Sequence, residues 1–238
     1  MTAIDLARIS ANSIPNPAIA LIGFQRTSQI SRDARQAWED GDRSLLEAEA
    51  AQRRDEIFSG ALKEIYEEFT PISDALALMG RKPAHVIDIG CGQALNDALM
   101  VKAYDPRITL IDIEETKEQY HSWNSAGAGY ASLAVAKAFL EENGAREVTT
   151  INPRETPNAL SGLSGDLVTS LISCGFHYPI GEYLPLMLKT IRAGGVVILD
   201  LRTRYFKAPD AALTELLENS RQITLSTLPR RRRILFAQ

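Results

Sequence analysis

The chain has 238 residues, 45 % hydrophobic and 24 % charged, with a net charge of −4. That length suits one large domain with an extension, and the acidic balance gives no reason to expect nucleic-acid binding across the surface. No apolar run approaches the roughly 20 residues a membrane span requires, and two cysteines cannot make a disulfide framework, so a reducing cytoplasm is the expected setting.

Residues 1 to about 40 carry little pattern. The apolar stretch 17–24 is short and lacks the basic leader of a secretory signal, and Ile14-Pro15-Asn16-Pro17 argues against regular structure. From Asp42 to Ala77, Leu45, Leu46, Ala50, Ile57, Leu62, Ile65 and Tyr66 fall at helical spacings, with breaks expected at Gly60 and Thr70-Pro71. Residues 1–79 therefore read as a helical extension: a cap packed on the sheet, a lid over a substrate, or the surface of a homodimer.

Beyond residue 80 strands alternate with helices. Val86 to Ile89 is too short for a helix and reads as a buried parallel strand. It breaks into Gly90-Cys91-Gly92, where the missing Cβ atoms let the backbone turn tightly and approach a ligand. Gln93 to Val101 follows as a helix, then a second strand, Ile108 to Ile113, which carries Asp112 twenty residues beyond Gly92. Residues 114–123 read as a short helix or loop whose His121 and Trp123 could wall an adenine. Ala128 to Asn143 is a helix closed by Asn143-Gly144, and Val148 to Ile151 and Leu167 to Ile172 are the third and fourth strands. Tyr183 to Ile191 is a helix ended by Ala193-Gly194-Gly195, Val196 to Leu201 the fifth strand, and Ala211 to Asn219 the last helix. Gln222 to Leu228 and Ile234 to Phe236 form a closing hairpin whose turn holds Pro229 and the four arginines 230–233.

Strand, glycine turn and helix, with an acid after the next strand, is the front half of a nucleotide-binding βαβ unit. Asp88-Ile89-Gly90-Cys91-Gly92, Asp112 closing the second strand, Asp166-Leu167-Val168 through Ser173, and Leu188-x-x-Ile191-x-Ala193-Gly194-Gly195-Val196 together resemble the class I S-adenosylmethionine-dependent methyltransferases. The resemblance covers about 80 to 238. It implies an α/β fold: a doubly wound, seven-stranded, mostly parallel Rossmann-like sheet with a C-terminal antiparallel hairpin. It also implies S-adenosylmethionine as cofactor, over strands one and two, against Asp88, Gly90, Cys91, Gly92, Asp112, Ile113 and Ser173, with a methyl acceptor beside it past strands four and five. A NAD-binding oxidoreductase is the rival, although its turn usually runs Gly-x-Gly-x-x-Gly and here the third position is Ala94 after Gly92-Gln93. A catalytically inactive methyltransferase-like interaction subunit is the other alternative.

The loop after strand four, Ser173-Cys174-Gly175-Phe176-His177-Tyr178-Pro179, lacks the Asn/Asp-Pro-Pro-Tyr/Phe signature of many enzymes that methylate base or amide nitrogens. A small-molecule acceptor, methylated at a hydroxyl, is therefore expected; the phrase looks like bacterial methyltransferases of surface glycans. His177 is the candidate acid–base group, because an attacking hydroxyl must lose a proton and imidazole titrates near neutrality; the alternative is that it only shapes the loop. Tyr178 would position the acceptor. Cys91 and Cys174 are expected on the rim of one pocket. Arg202, Arg204 and Lys207, with arginines 230–233, would draw an anionic acceptor such as a phosphorylated sugar, or else form a solvated hairpin. His85 reads as structural, Asp200 as a second carboxylate facing the acceptor, and no residues form a metal set.

Overall fold

The computed structural model describes residues 4–114, 129, 131–156 and 158–238; His121 and Trp123 lie outside them. Four helices come first: α1 (Asn16–Gln25), α2 (Arg32–Glu39), α3 (Ser44–Gln52) and α4 (Arg54–Leu78). α1 begins inside the segment that two prolines were expected to keep irregular. Pro17 stands in its first turn, where a missing N–H is no loss and a fixed φ suits the helix. α1 buries every residue from Ala18 to Phe24, so it is a core helix, apolar all round.

α4 also corrects the sequence reading, running unbroken through Gly60 and Pro71. The Gln29 amide packs over Gly60, in the space a side chain would otherwise take. At Pro71 the lost backbone bond is offset by burial of Phe69, Ile72 and Leu76 around it, against the roughly 3 kcal/mol an interior proline costs.

The sheet contains β1 (His85–Ile89), β2 (Arg107–Ile111), β3 (Val148–Ile151), β4 (Leu167–Ser170), β5 (Val196–Arg202), β6 (Arg221–Leu228) and β7 (Arg231–Ala237). Their order is β3-β2-β1-β4-β5-β7-β6, with β7 alone running against its neighbours. This is the doubly wound, seven-stranded, mostly parallel Rossmann-like sheet with a closing antiparallel hairpin that the sequence led us to expect. Period two divides each strand between the faces. Val86, Ile108, Leu167, Ile198 and Leu235 pack under the N-terminal helices, α5 (Leu95–Tyr104) and α6 (Leu133–Glu142). Ile87, Val168, Val197, Leu199 and Phe236 pack under α7 (Leu184–Arg192), the short α8 (Thr203–Lys207) and α9 (Ala211–Glu218). The core of the extension is continuous with the first of these layers.

β2 ends at Ile111 and β4 at Ser170, each two residues before the expected end, and two other boundary differences have a visible cause. α6 starts at Leu133 because Ser132 caps it, its hydroxyl accepting from the Val135 N–H. The turn of the hairpin holds only Pro229 and Arg230; Arg231 to Arg233 belong to β7. Among the described residues no helix is long and apolar enough to cross a membrane.

Candidate active site

β1 connects to β2 on one side while β4 lies on the other, so the strand order reverses between them and a crevice opens beyond their carboxyl ends. A cleft of about 1250 Å³, counting space open to solvent, occupies that place. Its floor is the glycine turn with Asp88, Asp112 and Ile113; one wall is the loop after β4, the other the helices α1 and α4.

The glycine turn is held mainly by backbone. The N–H groups of Gly90 and Cys91 both donate to the Ile111 carbonyl, at 2.7 and 3.3 Å, and the Gly92 N–H donates to Asp112 Oδ2 at 3.1 Å. Gly90 and Gly92 adopt φ values of 73° and 57°, in the left-handed region that suits glycine. Their surroundings differ. A Cβ on Gly90 would fall 1.8 Å from Ser173 Oγ, whereas one on Gly92 would meet only Gln25, 3.6 Å away. Gly90 therefore admits the β4 loop to the turn, and Gly92 is the glycine that faces open cleft.

Three carboxyl groups lie under this turn. Burial, opposed by N–H groups of Gly92 and Glu114, raises Asp112 to about 6. Asp88 accepts the Thr169 hydroxyl and is also raised by burial. Asp97, on α5 and fully buried, is raised above the ordinary carboxylate value by burial and by Asp88 beside it. Asn96 turns an amide into the same wall, and neither its oxygen nor its nitrogen has a hydrogen-bond partner among the described residues. An adenosyl cofactor fits these residues: hydroxyls for Asp112 and Asn96 to bind, and a glycine with room above it.

In the loop after β4, Ser173, His177 and Tyr178 line the cleft, joined by Tyr183 from the turn before α7. The Ser173 and Tyr178 hydroxyls lie 3.1 Å apart. Burial raises the phenols of Tyr178 and Tyr183 far above their ordinary value, so they stay neutral and act as hydrogen-bonding groups rather than bases. The His177 ring packs edge-on against Phe176, 4.9 Å between centroids, and its backbone N–H donates to the Ser173 carbonyl. Arg202 lies over the other side of this loop, 5.1 Å from the Phe176 ring centre; neither it nor Arg204 lines the cleft.

The helical wall contributes Ile22, Gln25, Arg26, Ile65 and Glu68. Glu68 is the hub of an ion-pair cluster. It meets Arg26 at 2.8 Å, Arg231 at 2.7 Å and Arg233 at 3.5 Å, while Arg231 and Arg233 also hold Asp200 at 3.2 and 2.7 Å. Despite burial, Arg26 and Arg231 hold Glu68 down at about 2. Asp200 is fully buried in these pairs, which overturns its reading as a carboxylate facing the acceptor. Arg231 and Arg233 are likewise buried and neutralised, neither solvated nor free for a ligand, because alternate residues of β7 face the core.

The structure thus gathers Asp88, Gly90, Cys91, Gly92, Asp112, Ile113, Ser173, His177 and Tyr178 around one cleft. Cys174 does not join them: it is wholly buried, its thiol pushed up to about 12 by burial, while Cys91 lines the cleft, its thiol also raised by burial. His85 sits at the amino end of β1, its Nε2 2.9 Å from the Thr109 hydroxyl and its Nδ1 facing Arg107, in a structural role. Sequence reasoning missed Gln25, Arg26, Glu68, Asn96, Asp97 and Tyr183. Only Asp97 had a local signal, an acid set among the apolar residues of a helix.

No family model matches the chain, and no curated protein does. Solved structures do. Precorrin-6y C5,15-methyltransferase from Geobacter metallireducens is 18 % identical with a TM-score of 0.43, over 65 % of this chain and 80 % of that one. Ribosomal protein L11 methylase from Lactobacillus delbrueckii subsp. bulgaricus is 17 % identical with a TM-score of 0.45, over 66 % and 70 %. MtNAS, solved in complex with MTA and tNA, is 15 % identical with a TM-score of 0.49, over 92 % and 70 %.

Proposed function

We propose that the chain is an S-adenosylmethionine-dependent methyltransferase of the class I type, working in the cytoplasm on a hydroxyl of a small-molecule acceptor. The observation that carries this reading is Asp112, which closes β2, fastens the Gly92 N–H and faces a cleft beside the glycine turn. Asp112 and Asn96 would bind the ribose and Gly92 would give the nucleoside room, with Ile113 against the base. Bound there, S-adenosylmethionine would supply an electrophilic methyl group. His177 would take the proton of the acceptor hydroxyl at a ring nitrogen as the oxygen attacks. Tyr178 and Tyr183 would orient the acceptor through neutral phenols, and Leu171 and Ile172 would exclude water from the reacting oxygen. Outside the cleft, Arg202 and Arg204 would steer an anionic acceptor, such as a sugar or glycan precursor, toward the loop that carries His177.

Calorimetry with S-adenosylhomocysteine and with NAD tests the cofactor: the first is expected to bind and the second not, and the reverse would make the chain an oxidoreductase. Replacing His177 by Gln should slow methyl transfer by about 10²–10⁴-fold with S-adenosylhomocysteine affinity unchanged. A loss confined to KM would reduce His177 to a binding residue.

A further inference from the structure

The cleft has a carboxyl-rich end and an arginine-rich end. Asp88, Asp97 and Asp112 gather under the glycine turn, at the ends of β1 and β2. At the other end two carboxylates, Glu68 and Asp200, share three guanidinium groups, those of Arg26, Arg231 and Arg233. That cluster keeps one positive charge in excess. Its β7 members are buried, so the excess reaches the cleft through Arg26, whose side chain is 18 % exposed beside Glu68 at 20 %. Arg26 gives Glu68 two of its five donors, at 2.8 and 3.4 Å, and the other three have no partner among the described residues. The Glu68 oxygens are already taken by three arginines. The corner can therefore donate to a further group but has little capacity to accept.

We propose that Arg26 anchors a carboxylate of the methyl acceptor, which makes the natural acceptor a monoanionic hydroxy acid and the helical extension the wall that selects it. This rests on the methyltransferase reading above. Gln25 stands over Gly92 at the cofactor end of the cleft, whereas the ion pairs of Arg26 tie its guanidinium toward β5 and β7. The cluster is fixed at the carboxyl end of β5, where Asp200 pairs with Arg233 across the β5–β7 ladder. β5 stands two strands from β1, roughly 10 Å by strand spacing, and a further strand from the Asp112 end. Charge separates a carboxylate from a phosphate monoester. One excess positive charge is neutralised by a monoanion, while a phosphate monoester carries about −1.5 to −2 and would leave negative charge beside Glu68.

The test is transfer from methyl-labelled S-adenosylmethionine to a panel of hydroxycarboxylic acids and their primary amides. The wild-type chain is expected to methylate at least one acid with a KM about tenfold below that of its amide. Arg26→Gln should erase the difference by raising KM for the acid with little change in kcat, and Arg26→Lys should restore part of it. Equal use of acids and amides, or transfer to none of the acids, overturns the proposal. Calorimetry adds a second arm. If Arg26→Gln weakens S-adenosylhomocysteine and leaves 5′-methylthioadenosine unchanged, Arg26 holds the amino-acid end of the cofactor, and the proposal fails. If the wild-type chain binds neither nucleoside, the methyltransferase reading itself fails. Should Arg26→Gln not fold, the wild-type preference between acid and amide decides alone.

Discussion

The floor of the cleft and its helical wall are assembled in opposite ways. The floor comes from one stretch, β1 through the start of the segment after β2, and backbone N–H groups hold it to the Ile111 carbonyl and the Asp112 carboxylate. The helical wall is fastened by side chains from α1, α4, β5 and β7, of which Glu68 and Arg233 stand 165 residues apart. A backbone turn survives the loss of one side chain. A buried ion-pair cluster does not, because each member neutralises another and removing one strands a charge.

The largest effect should therefore come from the wall. Asp200→Asn leaves Arg231 and Arg233 buried with Glu68 as their only carboxylate, and urea unfolding should show a loss of about 3–5 kcal/mol. A loss below about 1 kcal/mol would mean that water reaches those guanidinium groups, and the contrast between the two regions would collapse.

The floor should respond less, and unequally at its two glycines. Gly90→Ala drives a Cβ against Ser173 Oγ and should cost about 1–3 kcal/mol. Gly92→Ala meets open space and should cost about 1 kcal/mol, the strain of its left-handed backbone. Melting temperatures separate the two, and S-adenosylhomocysteine calorimetry should show that Gly92→Ala loses affinity beyond its small effect on folding. Equal destabilisation would mean that the β4 loop yields to the new methyl group.

A pH dependence of binding is expected as well. Asp112 titrates at about 6 because burial favours its protonated form. A bound ribose would donate its hydroxyls to the ionised form, so binding would have to remove the proton once pH falls below that value. S-adenosylhomocysteine affinity should fall about tenfold between pH 7 and pH 5. Asp112→Asn should bind more weakly at pH 7 and show a flatter profile; an unchanged slope would assign the titration to another group.

The same division decides what could be read from sequence. The strands, the glycine turn and Asp112 rest on local signals: apolar runs, missing side chains and one fixed spacing. Arg26 and Glu68 carry no such signal, since charged residues on helices are usually solvated and only the tertiary packing sets them beside β7. Pro17 and Pro71 misled for a different reason. A proline is a breaker by default, but one fell in a first turn and the other among buried neighbours. The run Arg230 to Arg233 looked like a solvated turn, yet period two in a strand was enough to send Arg231 and Arg233 inward with Leu235. His177 and Tyr178 could be expected at the cleft, which both line, because a loop following a strand at the reversal point is where ligands meet an α/β sheet.

The cluster also sets a timetable for synthesis. Glu68 leaves the ribosome 165 residues ahead of Arg233, which at about 5–20 residues per second is a wait of about 10–30 s. During that interval α4 can form and meet α1, but its anionic hub still lacks both cations from β7. The ion-pair cluster then stays incomplete until β7 emerges. A chain stalled before Arg231 would have made every residue of the floor of the cleft and still lack two of the three cations of its helical wall.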